Sequence, residues 1–324
     1  MHPLSIAPMM DRTDRHFRAL MRTITRRTLL YTEMVTTGAV LRGPRARLLA
    51  YSPAEHPIAL QLGGDEPQQL AECARIAEDL GFDEVNLNVG CPSDRVQSGQ
   101  FGACLMLRPE RVAESVAAMR GAARLPVTVK HRIGVDEVDR YEDMLRFVDI
   151  VAAAGCARFS VHARKAWLSG LSPAQNREIP PLRYEEVYRL KVERPTLCVE
   201  INGGVRDLDA AEALLRRVDA VMIGRAAWDA PMLFAEADRR FYGANSSPSL
   251  SDVLAEILPY ALDRVREGES PSMVTRGWAG LLVGVPGAGA WRRGLAGLGP
   301  LRGEAAAEAL QTLVERTLRG RPAA

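Results

Sequence analysis

The sequence predicts an α/β fold: a (β/α)₈ barrel followed by a small C-terminal helical domain. Two observations predict the barrel, since eight short apolar runs alternate with longer amphipathic stretches, and the runs are nearly continuous in apolar character, as strands buried on both faces of a parallel sheet must be. A third predicts the appendage: after Tyr242 a Gly-Ala-Asn-Ser-Ser-Pro-Ser stretch reads as a linker, and Leu, Ala, Arg and Glu then recur at helical spacing.

In chain order the strands are expected at 4–8, 30–34, 57–62, 84–89, 127–131, 158–162, 197–201 and 220–223. Helical patterns fall between them at 67–80, 109–122, 140–154, 184–193 and 208–216, while the connection from the second to the third strand shows no clear pattern. An open doubly wound sheet would offer a G-x-G-x-x-G turn after its first strand, but this chain has Pro8-Met9-Met10-Asp11 there. A TIM barrel over 1–242 and a helical domain over 243–324 account for the length. In the second, Ser251 is expected to cap the first helix, with Leu254, Ile257, Leu258 and Ala261 on one face, and the glycine-rich 284–299 to contain a loop.

Composition narrows the function. Hydrophobic residues make up 47% and charged ones 25%, and no run of eighteen apolar residues could span a bilayer. Met1 to Pro8 lacks the basic segment and apolar core of a secretory signal, so a cytoplasmic protein is expected. Five cysteines without a C-x-x-C pair argue against a disulfide framework and against a zinc or iron–sulfur site. A net charge of +2 does not by itself imply nucleic-acid binding, but arginines cluster in the first fifty residues and again near the end.

Residues at the carboxyl ends of the expected strands would face one mouth, where barrel enzymes carry their chemistry. They are Pro8, Met9 and Met10 after the first strand, Gln61 in the third, Asn88 and Cys91 in and after the fourth, Lys130 in the fifth, His162 in the sixth, Asn202-Gly203-Gly204 after the seventh and Gly224-Arg225 after the eighth. Glycine turns after strands seven and eight suit a phosphate held by backbone N–H groups, with Arg225 adding a charged fork. A thiol, with a reference pKa near roughly 8.5, is mostly protonated at neutral pH and can give a proton as readily as attack.

With these residues in view, the chain resembles the tRNA-dihydrouridine synthases. The resemblance rests on Ala7-Pro8-Met9-Met10-Asp11, Tyr31-Thr32-Glu33-Met34, Gln61-Leu62, Asn86-Leu87-Asn88-Val89-Gly90-Cys91-Pro92-Ser93, Val129-Lys130, Val161-His162-Ala163-Arg164 and Asn202-Gly203-Gly204, in order, over about three quarters of the chain. Thr36-Thr37-Gly38-Ala39, Asp94-Arg95-Val96-Gln97-Ser98-Gly99 and 165–173 are similar to the bacterial A-type members, which act on the D-loop. The resemblance implies FMN held by Pro8, Met9, Met10, Gln61, Lys130, His162, Asn202, Gly203, Gly204, Gly224 and Arg225. It also implies NADPH as reductant, Cys91 as proton donor, and tRNA as substrate met by Asn88, Arg177, Arg292 and Arg293, with no membrane, metal or obligate protein partner. Two positions depart from the A-type pattern: Gly277 stands where a His is usual and Gly289 where an Arg is usual. Two competing functions remain open from the residues alone, a Schiff-base aldolase using Lys130 and a tRNA-binding or tRNA-folding protein without catalysis.

Overall fold

A computed structural model describes residues 2–319, which fall into two compact units. The first comprises the residues up to Met10, Leu29–Tyr51 and His56–Gly224; the second comprises Asp11–Thr28, Ser52–Glu55 and the residues from Arg225 on.

In the first unit β1 (Leu4–Ile6), β2 (Leu30–Tyr31), β3 (Val35–Thr36), β4 (Ile58–Gly63), β5 (Glu84–Val89), β6 (Val127–Arg132), β7 (Phe159–His162), β8 (Val199–Asn202) and β9 (Ala220–Ile223) form one parallel sheet. Its order is β1-β9-β8-β7-β6-β5-β4-β2, with β3 also on β4. A parallel bridge between Ser5 and Leu29 joins the two ends: the Ile6 N–H donates to Leu29 O at 2.9 Å and the Leu29 N–H to Leu4 O at 3.1 Å. The result is the eight-position parallel barrel that the pattern of runs predicts. One expected strand differs, because the second is split into β2 and β3. Where a continuous ladder would use a backbone carbonyl, the Gln61 N–H donates to Thr32 Oγ1 at 3.1 Å, and that hydroxyl donates to Glu33 O at 2.8 Å.

Helices Pro67–Asp79, Pro109–Ala122, Tyr141–Ala153, Tyr184–Glu193 and Leu208–Leu215 occupy the crossovers within a residue of their expected limits. The first two open on proline, which tolerates a first helical turn because that N–H has no partner there anyway. The unclear connection holds short helices, Thr37–Arg42 and Arg45–Leu48, separated by Gly43-Pro44 and too brief to show a period.

Inside the ring the strands are not apolar. Alternation puts Glu84, Asn86 and Asn88 of β5 on one face and Val85, Leu87 and Val89 on the other, all buried. Arg158 Nη2 donates to both Glu84 oxygens, at 2.6 and 2.7 Å, and to Tyr31 Oη at 2.6 Å. Its Nε lies 3.7 Å from Glu200 Oε2, and Glu200 accepts from the Ser5 hydroxyl at 2.7 Å and from Ser160. From this charged floor an uncharged ladder rises. Thr128 Oγ1 donates to Glu84 at 2.6 Å, Asn86 to Thr128, Gln61 to Asn86 and Asn88 to Gln61, the last three each at 2.8 Å. Buried polar atoms are tolerated at low cost when each finds a partner, and this ladder satisfies them in sequence up to Asn88.

The second unit is helical, and it starts at Arg225 rather than after Tyr242. It also takes in the helix Arg15–Ile24, because Arg15 pairs with Glu269 at 2.5 Å, His16 Nδ1 meets Tyr260 Oη at 2.9 Å, and Thr25 Oγ1 donates to Asp238 at 2.7 Å. Ser249, not Ser251, caps the helix Leu250–Arg266 in a capping box with Asp252, and Val253, Leu254, Ile257, Ala261 and Val265 are buried while Leu258 is half-buried. The glycine-rich 284–299 does contain the expected loop, a turn through Gly284 and Gly287 at φ of +76° and +91°, and then continues as the helix Ala288–Gly297. Gly294 serves close helix approach there, since a Cβ would lie 2.4 Å from Leu313 Cδ1. Trp278 and Trp291 stack with centroids 6.3 Å apart, and Trp291 Nε1 donates to Trp278 O at 2.8 Å. No helix among the described residues is long and apolar enough to cross a membrane.

Candidate active site

At the end of β5 the Asn88 side chain organises the following turn. Its Oδ1 accepts the N–H groups of Gly90 and Cys91 at 3.1 and 3.0 Å while its Nδ2 is committed to Gln61. An Asx turn of this kind fixes the direction in which the next side chain leaves the strand, here the half-buried Cys91 thiol. From below, the Ala103 N–H donates to Cys91 O at 2.9 Å, and Gly102 must be glycine because a Cβ there would sit 2.5 Å from that oxygen with φ at +73°. Beyond the turn, Gln97 Nε2 donates to Pro92 O at 2.8 Å and to Leu168 O at 2.7 Å, tying the cysteine segment to the loop after β7.

Arg132, which sequence reasoning missed, is the other fastener. Buried at the end of β6, it donates from Nε to Gly90 O at 2.9 Å and from Nη1 to Lys165 O and Asn176 O at 3.0 and 2.9 Å. One planar guanidinium thus holds three carbonyls on two loops, a task for which a lysine has no equivalent geometry. Its signal in the sequence was its place one residue past the expected end of the fifth strand.

Across the mouth, strand register sets the remaining candidates at two levels, because Lys130 pairs with Ser160, two residues before His162. Asn88 pairs with Lys130, Arg132 with His162, and His162 with Asn202. Burial, and then Arg132, bring the Lys130 ammonium down to about 8, and among the described residues Nζ has no hydrogen bond or ion pair. His162 is held neutral, first by burial and then by the cations Arg132, Lys130, Arg164 and Arg177. Asn202 donates to Met222 O at 2.8 Å, and Tyr184 donates to Gly203 O. Gly203 and Gly204 have φ of +112° and +73°; a Cβ on Gly203 would lie 2.6 Å from His162 Cδ2, and one on Gly204 2.5 Å from Leu182 Cδ1. Gly224 is different, because a Cβ there would meet Ala7 and Met9 at ordinary distances of 3.5 and 3.8 Å. Pro8 and Met9 are half-buried, and Met10 is exposed.

The remaining sequence candidates lie in turns and helices beyond the strands. Arg177, in the turn Gln175–Arg177, is exposed yet near enough to lower the pKa values of both His162 and Arg132. Arg225 is exposed at the start of the helix Arg225–Asp229, in the second unit, as are Arg292 and Arg293 on the helix Ala288–Gly297. Gly277 fits against Phe17, where a Cβ would come within 2.7 Å of Cδ2, and Gly289 is followed by Arg293, whose Nη1 a Cβ would meet at 3.4 Å.

A half-buried thiol, a neutral imidazole and an unpartnered ammonium therefore surround bare backbone. Such a donor set suits an anionic ligand with a planar polar edge.

Comparison with known proteins agrees with this architecture. The solved complex of 2-naphthoyl-CoA reductase with 2-naphthoyl-CoA shares the fold, with a TM-score of 0.57 at 12% identity over 73% of this chain and 50% of that one, so this chain spans about half of the reductase. Curated relatives called tRNA-dihydrouridine(20/20a) synthase are far more similar: that of Synechocystis is 58% identical over 97% of this chain and 94% of its own length. Those of Shewanella oneidensis and Escherichia coli O6:H1 are each 53% identical over 89% of this chain, and cover 86% and 88% of their own lengths. The family described as Dihydrouridine synthase matches residues 5–317, barrel and helical unit together, and it is to this family that the chain belongs.

Proposed function

We propose that the protein is a cytoplasmic, FMN-dependent oxidoreductase that reduces the carbon 5–carbon 6 double bond of D-loop uridine in tRNA to 5,6-dihydrouridine, at positions 20 and 20a as its relatives are named. The observation that carries the reading is the half-buried Cys91 thiol, held by Asn88 just past the end of β5, with Asn88 paired to Lys130 on β6 and His162 at the end of β7. The residues fit FMN: Lys130 offers a charged donor without a partner, Gln61 is held by Asn86 and Asn88 of the intervening strand, and the Gly203-Gly204 backbone is uncovered by side chains of its own. Pro8, Met9, Met10, Asn202, Gly224 and Arg225 complete the proposed set. Bound and reduced by NADPH, FMN supplies a hydride to carbon 6 of the uracil.

The protein's part follows from the electronics of the base. Addition at carbon 6 leaves enolate character toward the carbon 4 carbonyl, and carbon 5 must then be protonated. Cys91 gives that proton from its thiol. Lys130, charged at neutral pH, stabilises negative charge at the ring edge, while neutral His162 donates a hydrogen bond. A uridine in folded tRNA reaches the pocket only after leaving its stack, at a cost of a few kcal/mol, to be met by Asn88. Arg177, Arg292 and Arg293 offset that cost through backbone contacts.

The test is a spectrum and a map. Purified protein is expected to be yellow and to release FMN on denaturation, and a deletion strain to lose dihydrouridine at 20 and 20a by mass spectrometry, restored by the intact gene but not by Cys91→Ala. A colourless protein that stays colourless with excess FMN overturns the reading.

A further inference from the structure

Ser93 occupies the N-cap of the short helix Asp94–Ser98, yet its side chain makes no cap bond. A serine at this place ordinarily accepts a backbone N–H two or three residues on. Here the Val96 and Gln97 N–H groups both turn to the Ser93 carbonyl, at 2.9 Å each, and the hydroxyl lies instead 3.4 Å from Cys91 Sγ. Ser93 is half-buried, as is Cys91, and two of the groups around the thiol are already engaged. Asn88 has spent its Oδ1 on two N–H groups and donates to Gln61; Arg132 has spent Nε and Nη1 on three carbonyls. Lys130 and Arg132 are the cations that face the sulfur from β6.

We propose that Ser93 is a positioning residue for Cys91: its hydroxyl holds the thiolate formed in each turnover and returns a solvent proton to it. The proposal rests on Cys91 being the proton donor. In that step the S–H bond breaks, its proton forms the C–H bond at carbon 5, and its electron pair stays on sulfur. The thiolate then accepts the Ser93 hydrogen bond. As the Ser93 proton moves to sulfur a water proton moves to the Ser93 oxygen, leaving hydroxide to the buffer. Nothing is oxidised or reduced in this return, and a free serine alkoxide never has to form.

The experiment uses full-length, flavin-loaded protein with Ser93→Ala and Ser93→Thr, and Cys91→Ala as reference. First, the pH profile of Cys91 alkylation by iodoacetamide is followed by mass spectrometry. Loss of one hydrogen bond to the thiolate is expected to move the midpoint upward by roughly half to one pH unit in Ser93→Ala, and Ser93→Thr to recover the parent midpoint. Second, at alkaline pH the ratio of steady-state to single-turnover rate on tRNA is expected to fall about tenfold in Ser93→Ala, since the first proton is preloaded and only later ones must be returned. An unmoved midpoint overturns the hydrogen bond, and a moved midpoint with an unmoved ratio overturns the proton return. Equal losses in Ala and Thr variants overturn the hydroxyl as the cause. If Cys91→Ala still makes dihydrouridine, the cysteine reading itself has failed, a result distinct from failure of Ser93 alone.

Discussion

Lys130 illustrates how much one side chain's surroundings decide. Burial lowers its ammonium from 10.5 to about 8, so in the ligand-free protein the charge is lost as pH rises through that value. An anionic ligand favours the charged form; FMN affinity, read by quenching of flavin fluorescence, is therefore expected to fall above pH 8, and Lys130→Met to abolish that segment of the pH dependence while weakening binding at pH 7. Gly203 makes a steric argument. Gly203→Ala must strain a φ of +112° and push into the His162 ring, so we expect a loss of about 2–4 kcal/mol in urea denaturation, with loss of bound flavin. The positions of Cys91, Lys130, His162 and Gly203 at strand ends were legible, because a strand's polarity fixes which end faces the mouth. Arg132 was not legible, since nothing in Lys130-His131-Arg132 says that its fork reaches three carbonyls on distant loops. Nor does the fold explain a glycine at 224.

Helices and strands were read well where a period had room to repeat and poorly where side chains replaced backbone partners. The interruption between β2 and β3 depends on one hydroxyl, Thr32 Oγ1, taking a ladder N–H, and no pattern of apolar residues announces that. Capping shows the same limit: Ser249 and Ser251 are both plausible caps by type, and the capping box with Asp252 selects the former. Ser249→Ala is accordingly expected to cost about 1 kcal/mol and Ser251→Ala well under half of that, as shifts in the urea midpoint.

For the molecule as a whole, the least legible feature is the barrel's interior. Apolar runs pointed to buried strands but said nothing of what fills the ring, where Glu84, Arg158, Glu200, Tyr31 and Ser160 form a buried charged floor beneath the ladder that ends at Asn88. Alternate residues in a buried strand face different neighbours, and composition averages over both faces. Arg158→Met would strand two carboxylates in that floor; we expect a loss of about 3–5 kcal/mol in urea, and partial recovery on adding Glu84→Gln. The division into units was legible in kind, a barrel and helices, but its boundary was not, because Arg15–Ile24 sits far in sequence from its partners. That separation has a consequence during synthesis. Asp11–Thr28 leaves the ribosome roughly 200 residues before Leu250–Arg266, and at about 5–20 residues per second that separation takes on the order of ten to forty seconds. Throughout that interval Phe17, Leu20, Met21 and Ile24, buried in the finished fold, lack the helix Leu250–Arg266 that later packs in the same unit, so apolar surface stays open while the chain is made.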